Sequence, residues 1–303
     1  MSVQIPGDDT PLPKDQQQIV DNYFAKLGVT SDDDLNILAT TDPTNLPPPD
    51  PTKVNFVVFG DGTPASFTLK LSGDYTGITL PSSNGSSGSA EGGITKIFGN
   101  KLDNLFFGND AKQVFKGAQG DDLLFGQGGA DTLIGGAGKD TVFGGKDGDL
   151  ISGGGGRDDL HGEQGNDTIK ADAGNDTLAG DQGKDLLYGL GGNDELFGGN
   201  DNDTLFGGSG NDTLYGGTGA NQLTGGSGKD VFVIDGGAKI DHITDFNPKF
   251  DKIDLSDTGA KSFKDLTITE TKDGLLVEVK GGGKFVIEGN FDWSAPVKKW
   301  FIF

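Results

Sequence analysis

The sequence predicts an all-β chain built as a solenoid of short stacked strands, and three observations predict it. Residues 99–233 divide without insertion or deletion into fifteen nine-residue repeats, aligned here on Gly135-Gly136-Ala137-Gly138-Lys139-Asp140-Thr141-Val142-Phe143. The eighth position is a bulky apolar residue in all fifteen copies, from Phe106 to Phe232, and the first is glycine in every copy but one, Ala171. The sixth is aspartate in twelve of the fifteen. A fixed short period is the mark of stacked structural units that bury a continuous core only by stacking.

Each position has a task. Three residues centred on position 8 form a short strand, with position 8 pointing inward and positions 7 and 9 outward. The other six make a turn, in which glycine permits the positive φ of a tight reversal. Two repeats then complete an eighteen-residue coil, and fifteen repeats make a rod about 36 Å long at ordinary strand spacing. A roll of this kind needs one inward apolar residue per repeat. That suits a chain of 303 residues with 54 glycines and only 33% hydrophobic residues.

The flanks read in order. Residues 1–52 form an N-terminal segment with two short helices over 16–40. Ile19, Tyr23 and Leu27 recur at helical spacing, Gly28 ends the first helix, and Ser31 with Asp34 resembles a capping box for the second. A proline-rich linker spans Asp42–Pro51. Residues 53–98 form a small β cap with strands at Val54–Phe59, Ser66–Leu71 and Tyr75–Leu80, then a flexible Ser/Gly/Asn connection from Ser82 to Gly93. Residues 234–303 form a C-terminal β cap. There Asp265–Thr271, Leu275–Lys280 and Lys284–Glu288 are antiparallel strands, and Lys298–Phe303 is an exposed apolar tip.

The charge restricts the partners. The chain carries a formal −22, and the repeats hold 22 acidic residues against 9 basic ones. Nucleic acid and anionic membranes are disfavoured and cations favoured. There is no cysteine, hence no disulfide and no thiolate ligand, and no run long and apolar enough for a membrane-spanning helix. The N-terminus has no basic flank followed by an apolar core, so no cleavable secretory signal is expected.

The sixth position carries the chemistry. Coils stack copy n on copy n+2, so Asp122, Asp140, Asp158, Asp176, Asp194, Asp212 and Asp230 form one file, and Asp131, Asp149, Asp167, Asp185 and Asp203 the other. Carboxylates stacked about 4.8 Å apart repel one another if left bare. A hard divalent cation between stacked pairs removes the repulsion. Calcium suits best, because it accepts six to eight oxygens in flexible geometry and glycine turns offer carbonyls without steric cost. Ten n, n+2 pairs have aspartate in both copies, which predicts about ten calcium ions. Asn104, Gln113 and Asn221 interrupt the files near their ends, where sites should be weaker or absent.

These residues resemble the RTX, or hemolysin-type calcium-binding, family, whose repeat is Gly-Gly-x-Gly-x-Asp-x-apolar-x. Gly207-Gly208-Ser209-Gly210-Asn211-Asp212-Thr213-Leu214-Tyr215 matches it throughout, and Asp241–Phe246 and Asp251–Ser256 look like the segment that follows the repeats in several members. The resemblance implies a right-handed parallel β-roll, calcium held by turn carbonyls and sixth-position aspartates, and export by a type I secretion apparatus reading an uncleaved C-terminal signal. Asp147 and Asp201 at the fourth position, and Glu163, Asp172, Asp181 and Leu190 at the second, depart from the pattern and are expected to alter their turns.

No catalytic site is expected. The only histidines are His161 and His242, which excludes a His-Glu-x-x-His zinc helix, and there is no Gly-x-Ser-x-Gly elbow or phosphate loop. The ninth positions Phe107, Phe125, Phe143, His161, Ala179, Phe197, Tyr215 and Val233 point outward on one face, where the caps are expected to cover them, and His161 reads as a surface residue. The reading is a secreted, non-catalytic calcium-binding protein that folds on calcium outside the cell. Its expected role is structural, adhesive or self-assembling, at the cell surface or in extracellular matrix. The alternatives are a calcium-dependent module for acidic polysaccharide and a pore-forming or host-interaction effector.

Overall fold

A computed structural model of the chain describes residues 14–26, 35–40, 54–59, 68–70, 75–79, 95–235, 239–289 and 297–303. The described fold is all-β with one short helix, a parallel solenoid of about nine turns. Among the described residues there are two sheets of thirteen strands each, and from Val54–Phe59 to Lys252–Asp254 successive strands alternate between them. Within the repeats the partners lie eighteen residues apart, as in Val142↔Leu160 and Ile151↔Ile169. This is the register that two nine-residue repeats per coil require.

The inward row is complete. All fifteen eighth-position side chains, Phe106 through Phe232, have no exposed surface and form one continuous cluster. Phe106 and Phe115 meet edge to face at 5.5 Å at the N-terminal end of that row. At the other end Phe246 lies between Phe232 and Trp300, with ring centroids 6.2 and 5.5 Å away. The column runs on beyond the repeats through Ile97 before them and Ile243, Ile253 and Ile287 after them, all without exposed surface.

Both flanks extend the same two sheets. Val54–Phe59 and Tyr75–Thr79 run parallel to Leu105–Asn109 in one sheet, and Thr68–Lys70 joins Thr95–Phe98 in the other. After the repeats, Ile240–Ile243 and Lys252–Asp254 each continue one sheet. The predicted antiparallel strands are present as Leu266–Thr271, Gly274–Val279 and Lys284–Glu288.

Two expectations are corrected. Residues 35–40, expected to be helical, form the strand Leu35–Thr40, paired parallel to Val54–Phe59 over its whole length. Leu35, Ile37 and Ala39 alternate with Asn36, Leu38 and Thr40, and an available sheet edge outweighs a local capping signal. The C-terminal tip is not wholly exposed. Phe301–Ile302 pairs with Lys252–Asp254, and Trp300 and Phe301 are buried, while Lys298, Lys299, Ile302 and Phe303 stay exposed. The irregular turns differ from their glycine counterparts. Asp147 and Asp201 adopt φ of 71 and 75° where Gly138, Gly156 and Gly165 adopt 144, 152 and 145°, and Glu163, Asp172, Asp181 and Leu190 adopt 72, 75, 68 and 71° where Gly136 and Gly145 adopt 124 and 115°. A residue with a Cβ thus settles in the left-handed region and carries its strain.

The first predicted helix is present as Lys14–Lys26. The Gln16 amide donates to Glu163 at 2.6 Å, and Lys26 Nζ lies 2.8 and 2.9 Å from Asp103 and Asp121, so both ends are tied to the roll. On this side the outward-pointing Phe107, Phe125 and Phe143 are buried and stacked ring on ring, with His161 next in the stack 4.8 Å from Phe143. The linker Asp42–Pro51, the Ser82–Gly93 connection, Ser31–Asp34 and Trp293 lie outside the described residues.

Candidate metal centre

The twelve sixth-position aspartates share one arrangement. One carboxylate oxygen of each accepts the amide of the sixth residue one coil earlier: Asp140 Oδ1 takes the N–H of Asp122 at 2.8 Å, and Asp158 Oδ1 takes that of Asp140 at 2.9 Å. The backbone carbonyl of the same residue accepts an amide one coil later, as Asp122 O does from Thr141 at 2.8 Å. Each aspartate is therefore clamped on both sides by its file.

The second oxygen has no partner. Oδ2 of Asp122, Asp131, Asp140, Asp149, Asp158, Asp167, Asp176, Asp185, Asp194, Asp203, Asp212 and Asp230 is buried with no hydrogen-bond donor. It faces the first-position glycine of its own turn. A Cβ placed on Gly207 would lie 2.5 Å from Asp212 Oδ2 and 2.6 Å from the Gly225 carbonyl oxygen one coil on; on Gly180 it would lie 2.5 Å from Asp185 Oδ2 and 2.7 Å from the Gly198 oxygen. An oxygen-lined space there crowds a Cβ, and the first position is glycine in every repeat but one, where Ala171 stands. Repeated down both files, this makes two rows of cradles, each walled by one carboxylate oxygen and turn carbonyls.

Electrostatics give the cradles their sign preference. Burial raises the carboxyl pKa from 3.8 to about 9 at Asp122 and Asp131, to about 7 at Asp149, Asp158, Asp185 and Asp212, and to about 6 at Asp140, Asp167, Asp194, Asp203 and Asp230. Asp176 shifts in the same direction for the same reason. The amide bond to Oδ1 favours the charged form but does not outweigh desolvation. An unpaired buried carboxylate is strongly unfavourable, so these oxygens call for a proton or a cation.

The donor set is all oxygen and hard, which fits calcium. Among the described residues no three His, Cys, Asp or Glu side chains converge on a point. A cation here would rest on one or two carboxylates and on backbone carbonyls.

The interruptions have local explanations. Asn221 Oδ1 accepts the Asp203 amide at 2.9 Å, as an aspartate would, but its NH2 occupies the cradle: a Cβ on Gly216 would meet Nδ2 at 2.8 Å. Asn104 Oδ1 accepts the Asn100 amide, and Gln113 folds back onto Asn109 and Ala111.

Sequence reasoning missed two further members of the files. Asp241 accepts the Asn221 amide at 3.0 Å and Asp251 the Asp230 amide at 3.1 Å, across offsets of 20 and 21 residues instead of eighteen. The signal was present in Asp241–Phe246 and Asp251–Ser256, but a strict nine-residue period hides it. Neither belongs with the twelve. Asp251 Oδ2 takes the Asn247 amide at 2.7 Å, and a side-chain bond from Asn221 reaches Asp241.

His161 stays partly exposed on the face of the roll and is paired there with two carboxylates. Its Nε2 is 3.1 Å from Asp159 and its Nδ1 3.8 Å from Asp181. Burial lowers its pKa, but the two aspartates outweigh burial and raise it to about 9.

Fold and site together define a calcium-type parallel β-solenoid, in which file aspartates and glycine turns enclose oxygen cradles. The family model for the RTX calcium-binding nonapeptide repeat matches in overlapping segments from 107–142 to 206–243, so residues 107–243 carry RTX calcium-binding repeats, and their parallel β-solenoid is consistent with an RTX β-roll protein. These are calcium-binding repeats, typical of secreted proteins and of structural rather than catalytic architecture. A search of curated proteins found no match to the chain. Among the described residues no helix is long and apolar enough to cross a membrane.

Proposed function

We propose that this is a secreted, non-catalytic protein whose roll folds on calcium outside the cell and then serves as a structural, adhesive or self-assembling rod at the cell surface or in extracellular matrix. The observation that carries this reading is the set of twelve buried carboxylate oxygens without a donor. Calcium, when bound, supplies the positive charge that such oxygens lack. The residues that would hold it are Asp122, Asp131, Asp140, Asp149, Asp158, Asp167, Asp176, Asp185, Asp194, Asp203, Asp212 and Asp230, with first-position and neighbouring turn carbonyls. About ten ions between stacked turns remains the expected number.

The chain's own residues do the rest. Oδ1 of each aspartate fixes the stacking register by capping an amide, glycine keeps the cradle open, and the eighth-position side chain holds the coil shut. Without the cation, one apolar side chain per nine residues cannot offset both chain entropy and a row of bare carboxylates. Binding free energy is then folding free energy. In cytosol poor in calcium the segment stays open, which suits passage through a type I apparatus. Outside, millimolar calcium matches modules with dissociation constants of about 10⁻⁴–10⁻³ M. A calcium titration followed by circular dichroism tests this: a coil-to-β transition in that range is expected, and full β structure in chelator at neutral pH would contradict it.

The adhesive or assembling role is favoured over polysaccharide binding by the outward aromatics. Phe197 and Tyr215 stack on each other at 4.5 Å, and Tyr188 is held between Phe206 and Lys170. Tyr188 has a neighbour on both ring faces, and Phe197, Tyr215 and Phe206 each have one stacked face, which leaves them poorer platforms for a sugar ring.

A further inference from the structure

One sheet ends on an open edge of defined polarity. The strand Leu266–Thr271 pairs antiparallel with Gly274–Val279 and, among the described residues, with no strand on its other side. The Lys280 amide donates to the Asp265 carbonyl at 2.8 Å, which sets the alternation of the ladder. Thr267, Thr269 and Thr271 therefore turn their backbone groups inward, and Leu266, Ile268 and Glu270 turn theirs outward. Leu266 and Ile268 also keep half-exposed side chains packed on the core. The strand contains no proline, lysine or glycine, residues that commonly blunt such edges.

Charge distinguishes this end from the rest of the rod. Residues 261–303 carry seven lysines against six acidic residues, a net of +1, whereas residues 99–233 carry 9 basic against 22 acidic residues, a net of −13. The end of the sheet therefore carries no large charge excess that would hold two copies apart.

We propose that two copies of this chain join through this strand, antiparallel about a two-fold axis, to make one sheet continuous across both molecules. Outward backbone groups can pair only even residue with even residue. An axis through Thr267 sets Leu266 opposite the partner subunit's Ile268, each apolar pair occurring twice. It also brings Lys264, in the turn Phe263–Asp265 that leads into the strand, level with the partner subunit's Glu270. An axis through Ile268 would instead oppose Leu266 to the partner subunit's Glu270 and Lys264 to the partner subunit's Lys272. The first register satisfies both the apolar and the charged positions. This names the interface for the assembly reading above and rests on it.

Sedimentation velocity of the full chain in millimolar calcium, over a concentration series, tests the proposal. Wild type is expected to form a dimer of the 31.4 kDa chain. Glu270→Lys and Lys264→Glu should each weaken it roughly tenfold through two like-charge contacts, and the double swap should restore it. Thr267→Lys, which opposes two lysines on the axis from an exposed position, should also weaken it. Circular dichroism should show the same calcium transition in all four variants. Assembly that persists unchanged in every variant overturns this interface but leaves self-assembly standing. A monomer at every concentration, with the calcium transition intact, overturns both.

Discussion

The repeats and the C-terminal cap continue the same two sheets and use the same device to hold register, yet they finish it differently. In the repeats, Asp212 caps the Asp194 amide with Oδ1 and leaves Oδ2 buried and alone. In the cap, Asp251 caps the Asp230 amide in the same way, but its Oδ2 takes the amide of Asn247. The core differs in parallel. A repeat contributes one inward side chain per nine residues, while the cap packs Phe246, Phe285, Ile287, Val277, Trp300 and Phe301 into a small cluster. The cap supplies by protein contacts what the roll leaves open. Buried carboxylate oxygens without a donor thus mark the roll and not Asp251 in its cap, although the two sheets run through both.

The largest way to break that comparison is to replace the cation by protons. The folded roll holds protons more tightly than the unfolded chain, because its aspartates are raised from 3.8 to between about 6 and about 9. Stability from this source is fully present below the unfolded value and is lost as pH rises through the folded ones. In chelator, β structure should therefore appear near pH 4 and disappear between about pH 6 and 9. Circular dichroism across that range checks it, and a pH-independent spectrum would refute it.

A single amide substitution sharpens the comparison next. Asp167→Asn keeps the amide cap, as Asn221 shows, but places an NH2 in the cradle. The calcium midpoint for folding should rise several-fold, with a loss of about 1–3 kcal/mol in calcium from the missing ligand. In chelator the sign should reverse, since one buried charge is gone. Asp251→Asn in the cap should leave the calcium midpoint nearly unchanged. Equal effects at the two positions would erase the distinction between the regions.

Backbone strain gives a smaller effect. Leu190 holds φ of 71° with its side chain 43% exposed, so it bears left-handed strain with little burial in return. Leu190→Gly should stabilise the calcium-loaded roll by about 0.5–1 kcal/mol, the relief of strain less the entropy of a new glycine. Asp147→Gly should gain less, because aspartate tolerates the left-handed region better. Thermal melts in excess calcium measure both. The smallest change is at the helix: Lys26→Ala removes exposed ion pairs to Asp103 and Asp121 and should cost about 0.5 kcal/mol or less.

Most of the roll was legible because each position answers to one strong constraint. The eighth residue must be apolar to close the coil, and the first is glycine in every repeat but that of Ala171 because a carboxylate and a carbonyl crowd a Cβ. What was not legible depends on partners distant in sequence. Leu35–Thr40 becomes a strand only because Val54–Phe59 offers an edge. The division of labour between Oδ1 and Oδ2 is also invisible in the period, which pairs aspartates but cannot say that one oxygen is already spent on an amide. Asp241 and Asp251 escaped because loops of two and three extra residues break the count while the coil itself continues.

Hydrogen exchange of the full chain with calcium and with chelator at neutral pH tests the central claim most directly. Amides in 123–215 should be strongly protected in calcium and exchange rapidly in chelator, while those in 275–287 keep the greater share of their protection. Equal protection of 123–215 in both conditions would contradict the account, because the roll would then stand without the cation that its buried carboxylates demand.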